Sequence, residues 1–114
     1  MTRFIFAGLI SAALMLAGTG CASAAEVFVV HNKVADYAKW RPVFDSHKAT
    51  QEAAGLTNPR VWRALDNAND ITIVFDMADP AKAKAFAESK GLKERMMKAG
   101  VMGRPTFSYL ETAP

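Results

Sequence analysis

Apolar and polar residues alternate along most of this chain in short blocks, and the order of those blocks sets the architecture. In the block 26–34, Val27, Val29 and His31 alternate with Phe28, Val30 and Asn32, the period-two pattern of a strand that shows one set of side chains to each face. Asp36 then stands where a helix cap belongs. Tyr37, Trp40, Phe44 and His47 recur at spacings of three, four and three, which places them on one helical stripe. Pro42 lies inside that stretch and removes a backbone donor, so the helix bends there or begins properly near Trp40. Gly55 ends it. Residues 60–65 and 71–77 read as two strands joined by the polar turn 66–70, an antiparallel hairpin. Asp79-Pro80 is a cap followed by proline at the first helical position and opens a helix over 81–89. A second helical piece over 90–99 is broken from it near Gly91, and a Gly- and Pro-containing loop leads to a last strand over 106–111.

Strand, helix, strand, strand, helix, strand is the ferredoxin-like βαββαβ order. It predicts an α+β fold, a four-stranded antiparallel sheet ordered 4-1-3-2 with its helices on one face. The first strand is apolar on both faces, and the third sets Ile71, Ile73, Phe75 and Met77 on one face and Val74 between Thr72 and Asp76 on the other. Helices cover only one of these faces. Apolar burial is worth ~25 cal/mol per Å², so the uncovered face favours stacking on a second copy. The expected assembly is a homodimer, a dimeric α+β barrel.

The first 25 residues read as an address. Arg3 supplies a basic start, residues 4–17 are almost uninterruptedly apolar, and Ala22-Ser23-Ala24 is a small-x-small cleavage pattern. The run is short for a ~30 Å hydrocarbon core, so no stable membrane span is expected once it is removed. Cys21 offers an alternative, a lipoprotein anchor, although Gly18-Thr19-Gly20 lacks the large aliphatic residue such sites carry. Cleavage after Ala24 or Ala25 predicts a periplasmic or secreted domain over 26–114 with no cysteine and hence no disulfide. Without Arg3, 13 basic side chains face 11 acidic ones, scattered with no block, which gives nucleic-acid binding no support.

Within that domain, Val30-His31-Asn32-Lys33-Val34-Ala35-Asp36-Tyr37-Ala38-Lys39-Trp40, Ala54-Gly55-Leu56 and Val61-Trp62-Arg63 resemble the dimeric α+β barrel superfamily. So do Ala85-Phe86-Ala87-Glu88-Ser89, Leu92-Lys93 and Ala99-Gly100-Val101. The superfamily includes antibiotic biosynthesis monooxygenase-like proteins and small cyclases. The resemblance implies the fold named above and an activity drawn from cofactor-independent oxygenation or cyclisation of an aromatic or apolar substrate. It implies no cofactor; Asn32 and Trp62 imitate two parts of the haem-degrading branch, but His47 sits on the first helix and haem is not carried over.

The candidate chemistry is sparse. His31, midway along the first strand, is the expected acid or base, with Tyr109 (or Tyr37) as its hydrogen-bond partner, as the barrel cyclases imply. Tyr37, Trp40, Phe44, His47, Trp62 and Phe75 are the expected walls of a pocket for a small apolar or aromatic ligand. Two histidines with no third ligand make no zinc site, and there is no nucleotide loop or activated Ser or Cys nucleophile. Arg63 either turns inward toward Asp76 or lies exposed on its strand. A non-catalytic dimeric module, with every aromatic structural, is the alternative from another class. An enclosed void touching His31, with a polar partner within hydrogen-bond reach, favours the first, and a filled core favours the second.

Overall fold

The computed structural model describes residues 25–114; the leader expected over 1–25 lies outside them except for Ala25. The chain runs β1 (Glu26–Val34), α1 (Tyr37–Asp45), α2 (Lys48–Ala53), β2 (Leu56–Ala64), β3 (Asn67–Met77), α3 (Pro80–Ala87), α4 (Lys90–Lys98) and β4 (Val101–Glu111). The sheet is ordered β2-β3-β1-β4, the expected ferredoxin-like order, and every pairing is antiparallel.

Register fixes which residues share a face. Val30 lies between Ile73 of β3 and Phe107 of β4, with Val61 of β2 beyond Ile73. That row belongs to the helix side, where Phe28, Val34, Leu56, Ile71, Phe75, Met77, Trp40 and Ala83 complete the buried core. Phe28 is fully buried at its centre, with ring centroids 5.3 Å from Tyr109, 5.7 Å from Phe107 and 6.1 Å from Phe75. One residue along, His31 lies between Thr72 and Thr106, with Trp62 beyond Thr72, on the open side. Val27, Val29 and Val74 share that open face and are only half-buried in the single chain, while Leu110 and Trp62 are exposed. An apolar face of this extent is rare on a lone protein.

Local signals place the helices. Asp36 Oδ1 accepts from the Ala38 N–H at 2.9 Å, and Asp79 Oδ1 accepts from the Ala81 and Lys82 N–H groups, meeting donors that helix starts leave unpaired. Ser89 Oγ accepts from the Leu92 N–H at 3.1 Å and starts α4, so the break falls just before Gly91 rather than at it. Pro42 sits inside α1, and the helix ends three residues later at Asp45. Gly55, at φ +77°, turns the chain straight into β2, a conformation that only glycine adopts cheaply.

The strands are longer than their apolar runs. β2 starts at Leu56 and passes Asn58 (φ 50°) and Pro59 through a register shift between Thr57 and Arg60. β3 starts at Asn67, which shrinks the hairpin connection from the expected 66–70 to Leu65-Asp66. β4 starts at Val101 and carries Gly103 and Pro105 past an irregularity opposite His31 and Lys33. Ladder hydrogen bonds override the turn preference of these residues, and both prolines lie in edge strands, where a missing N–H costs no ladder bond.

Candidate functional site

Between the sheet and α1, α2 and α4 lies a cavity of about 60 Å³. A water needs only ~10–15 Å³ of such space, so this one admits several waters or part of a small ring. Its wall is aromatic: Trp40 and Phe44, one turn apart on α1, stack at 4.7 Å, and Phe44 meets Phe75 of β3 at 6.1 Å. Pro42 removes one donor from α1, and the helix stops before Ser46-His47. His47 then stands at the start of α2 without capping it through its side chain. Its imidazole lines the cavity instead.

Four polar side chains meet this apolar space: Asn32 of β1, His47, Gln51 of α2 and Arg95 of α4. Asn32 is 4% exposed, and its Oδ1 is the buried side-chain oxygen or nitrogen that finds no hydrogen-bond partner among the described residues. Nearly all buried polar atoms are paired, because an unmet one carries its full desolvation penalty. An orphan acceptor beside an apolar cavity is open to a water or to the donor of a ligand. Val43, His47 and Arg95 line both the cavity and an outer groove shared with Ser46, Gly91 and Lys98, so they form its mouth.

The expected site residues divide between the two sides of the sheet. Trp40, Phe44, His47 and Phe75 come together at the cavity. Tyr37 packs against Trp40 at 5.7 Å but lies outside the cavity lining; Arg41 donates to its hydroxyl at 3.2 Å, and the Arg63 guanidinium sits 4.1 Å over its ring. Trp62 does not join the pocket. It stands on the open face, 63% exposed, because the register shift at residues 57–60 sets the phase of β2. His31 also faces the open side, with its side chain 49% exposed, and the expected partnership with Tyr109 does not form. Tyr109 lies opposite Phe28 on the helix-side row, where burial, aided by the Glu88 carboxylate, pushes its phenol up from the ordinary value.

His31 Nε2 instead contacts Asp70 Oδ1 at 2.6 Å, a diagonal neighbour across the β1–β3 ladder. Arg63 turns to Tyr37 and donates to the Ala68 carbonyl, while Arg60 takes the place expected for it beside Asp76, at 3.0 Å. Sequence reasoning also missed Gln51 and Arg95 as cavity residues, although Arg95 falls on the inward stripe of α4 with Leu92, Met96 and Ala99. Asn69 was missed as well: its Oδ1 accepts from the Tyr37 N–H at 2.9 Å and fixes the start of α1 over the sheet.

No family model matches the sequence, and no curated protein matches it. Solved structures do. A candidate antibiotic biosynthesis monooxygenase from Bordetella bronchiseptica is 12% identical with a TM-score of 0.66, over 81% of this chain and 100% of that one. SnoaB, described as a cofactor-independent oxygenase from Streptomyces nogalater, is 18% identical with a TM-score of 0.56, over 81% and 95%. A dimeric ferredoxin-like protein from an uncultured marine organism is 14% identical with a TM-score of 0.51, over 81% and 90%. The chain thus has the ferredoxin-like fold that these proteins share. At these identities the likeness is one of fold.

Proposed function

We propose that this chain is an exported, homodimeric small-molecule-binding protein of the antibiotic biosynthesis monooxygenase-like type. Its ligand sits in the cavity between sheet and helices. The carrying observation is the partnerless Asn32 Oδ1 in a space walled by Trp40, Phe44 and Phe75. A planar apolar molecule with one hydrogen-bond donor answers both features. His47 stands at the cavity mouth, the imidazole nearest to such a ligand. Proton removal from an enol or phenol is the common first step of cofactor-independent oxygenation and of cyclisation, the two activities we propose. The half-buried apolar open face, together with the dimeric ferredoxin-like relative, supports the homodimer. The apolar start of the chain, with its Ala22-Ser23-Ala24 cleavage pattern, supports export.

The test is to identify molecules that co-purify with the protein by mass spectrometry, comparing the wild type with Asn32→Leu. A small aromatic or apolar molecule carried by the wild type and lost from the variant supports the reading; equal cargo in both removes it.

A second reading rests on the His31–Asp70 contact. A carboxylate held against one imidazole nitrogen orients the ring and leaves the other nitrogen free, the logic of an acid–base dyad. A second copy over the open face would enclose that dyad together with Trp62. On this reading His31→Gln abolishes turnover and leaves dimerisation intact, while His47→Gln changes nothing.

A further inference from the structure

We infer that the cavity selects a compact ring acid, with Arg95 reading the carboxylate at the mouth and Asn32 reading a hydroxyl or N–H donor at the floor. This rests on the cavity reading above and adds the charge and polarity of the ligand.

The floor fixes one end. Asn32 Oδ1 is an acceptor with nothing to accept from, so a hydroxyl or N–H donor is what this end lacks. The donor of the ligand belongs at this end. The mouth fixes the other. Arg95 is half-buried and lines both cavity and outer groove, yet among the described residues it has no carboxylate partner. Three other arginines are engaged: Arg41 with Asp45 at 3.1 Å, Arg60 with Asp76 at 3.0 Å, and Arg63 over Tyr37, while Arg104 is exposed on β4. A guanidinium at the mouth without a carboxylate partner keeps its donors open to an anion.

Arg95 Nη2 lies 3.7 Å from where a Cβ on Gly91 would stand, so the guanidinium lies back along α4 toward the start of that helix. Lys98 shares this mouth with Glu94, so with Arg95 two cationic groups face a single carboxylate there. A planar guanidinium at that point matches the two oxygens of a carboxylate. Between the two ends stands the stacked Trp40–Phe44 wall, which suits a flat ring, and the modest volume favours a single one.

The experiment is calorimetric titration of the purified mature protein with 4-hydroxybenzoate, its methyl ester, and benzoate. The wild type is expected to prefer 4-hydroxybenzoate over both the ester and benzoate by about tenfold each, one charge-assisted or one rescued hydrogen bond. Arg95→Gln should erase the preference for acid over ester. Asn32→Leu should erase the preference for 4-hydroxybenzoate over benzoate while keeping that for acid over ester. If the wild type binds acid and ester alike, or Arg95→Gln keeps the preference, the charge assignment is overturned and the cavity reading stands. If none of the three binds the wild type, both fall.

Discussion

Replacing Asn32 by leucine should stabilise this protein while weakening its hold on the ligand, an outcome that separates a functional polar residue from a structural one. Asn32 pairs with Ile71 across the ladder, sits 4% exposed between β1 neighbours Val30 and Val34 on the same face, and leaves Oδ1 unbonded. Burying a polar group without a partner costs roughly 1–3 kcal/mol, and cavity water returns part of that. Leucine has the same number of side-chain heavy atoms, and its extra volume can extend into the adjoining cavity beside Val30, Trp40 and Phe44. The net expectation is a gain of about 1 kcal/mol, at the low end of that range. For a domain of this length, 1 kcal/mol moves Tm by about 4–8 °C. Bound molecules stabilise the wild type by mass action, so both proteins are refolded from guanidinium to strip them and compared at one concentration. Urea denaturation followed by circular dichroism then gives the midpoints. A loss of 1 kcal/mol or more in Asn32→Leu would mean that the amide holds the fold together, and the argument from an orphan acceptor to a ligand would fail.

Three further outcomes follow from other parts of the molecule. Val29→Asp places a charge at the middle of the open face, and light scattering should show the dimer dissociating by at least about a hundredfold in Kd, since an unpaired interface charge costs several kcal/mol; an unchanged dimer would put the interface elsewhere. Arg60, and after it the Asn58 amide, hold the Asp76 carboxyl below its ordinary value of 3.8, so its contribution to stability is complete above that value and is lost as pH falls further. Asp76→Asn should accordingly flatten the fall in urea midpoint below about pH 4, and an unaltered slope would show the pair to be thermodynamically silent. Exported protein should begin at Ala25 or Glu26 by N-terminal sequencing, and a diacylated Cys21 at the start would replace export by anchoring.

What was legible in the sequence was the local part. The alternation over 26–34 separated Val27, Val29 and His31 from Phe28, Val30 and Asn32 as the sheet does, though not which set faces the helices, and Asp36, Gly55 and Asp79 end or start elements as their chemistry dictates. Asn32 was visible too, as the polar break in the inward series Phe28, Val30, Val34, although its lack of a partner was not. Long-range facts were hidden. Asp70 reaches His31 through the β1–β3 register, which depends on β3 starting at Asn67 inside an apparent turn. Trp62 faces away from the pocket because a bulge five residues earlier sets its phase, a feature that Asn58-Pro59 disguises as a loop. Arg95 sits on the apolar stripe of α4, where its long stem packs like its neighbours, so only the shared cavity reveals its role.

The two tryptophans stand on opposite sides of the sheet, Trp40 buried in the cavity wall and Trp62 exposed on the open face, and each carries one indole N–H. A ¹⁵N–¹H spectrum titrated with 4-hydroxybenzoate therefore reads both candidate sites at once. The account predicts that the Trp40 signal shifts progressively while that of Trp62 stays in place. Movement of Trp62 with Trp40 unchanged would transfer the site to the His31–Asp70 face, and would contradict a ligand cavity between sheet and helices.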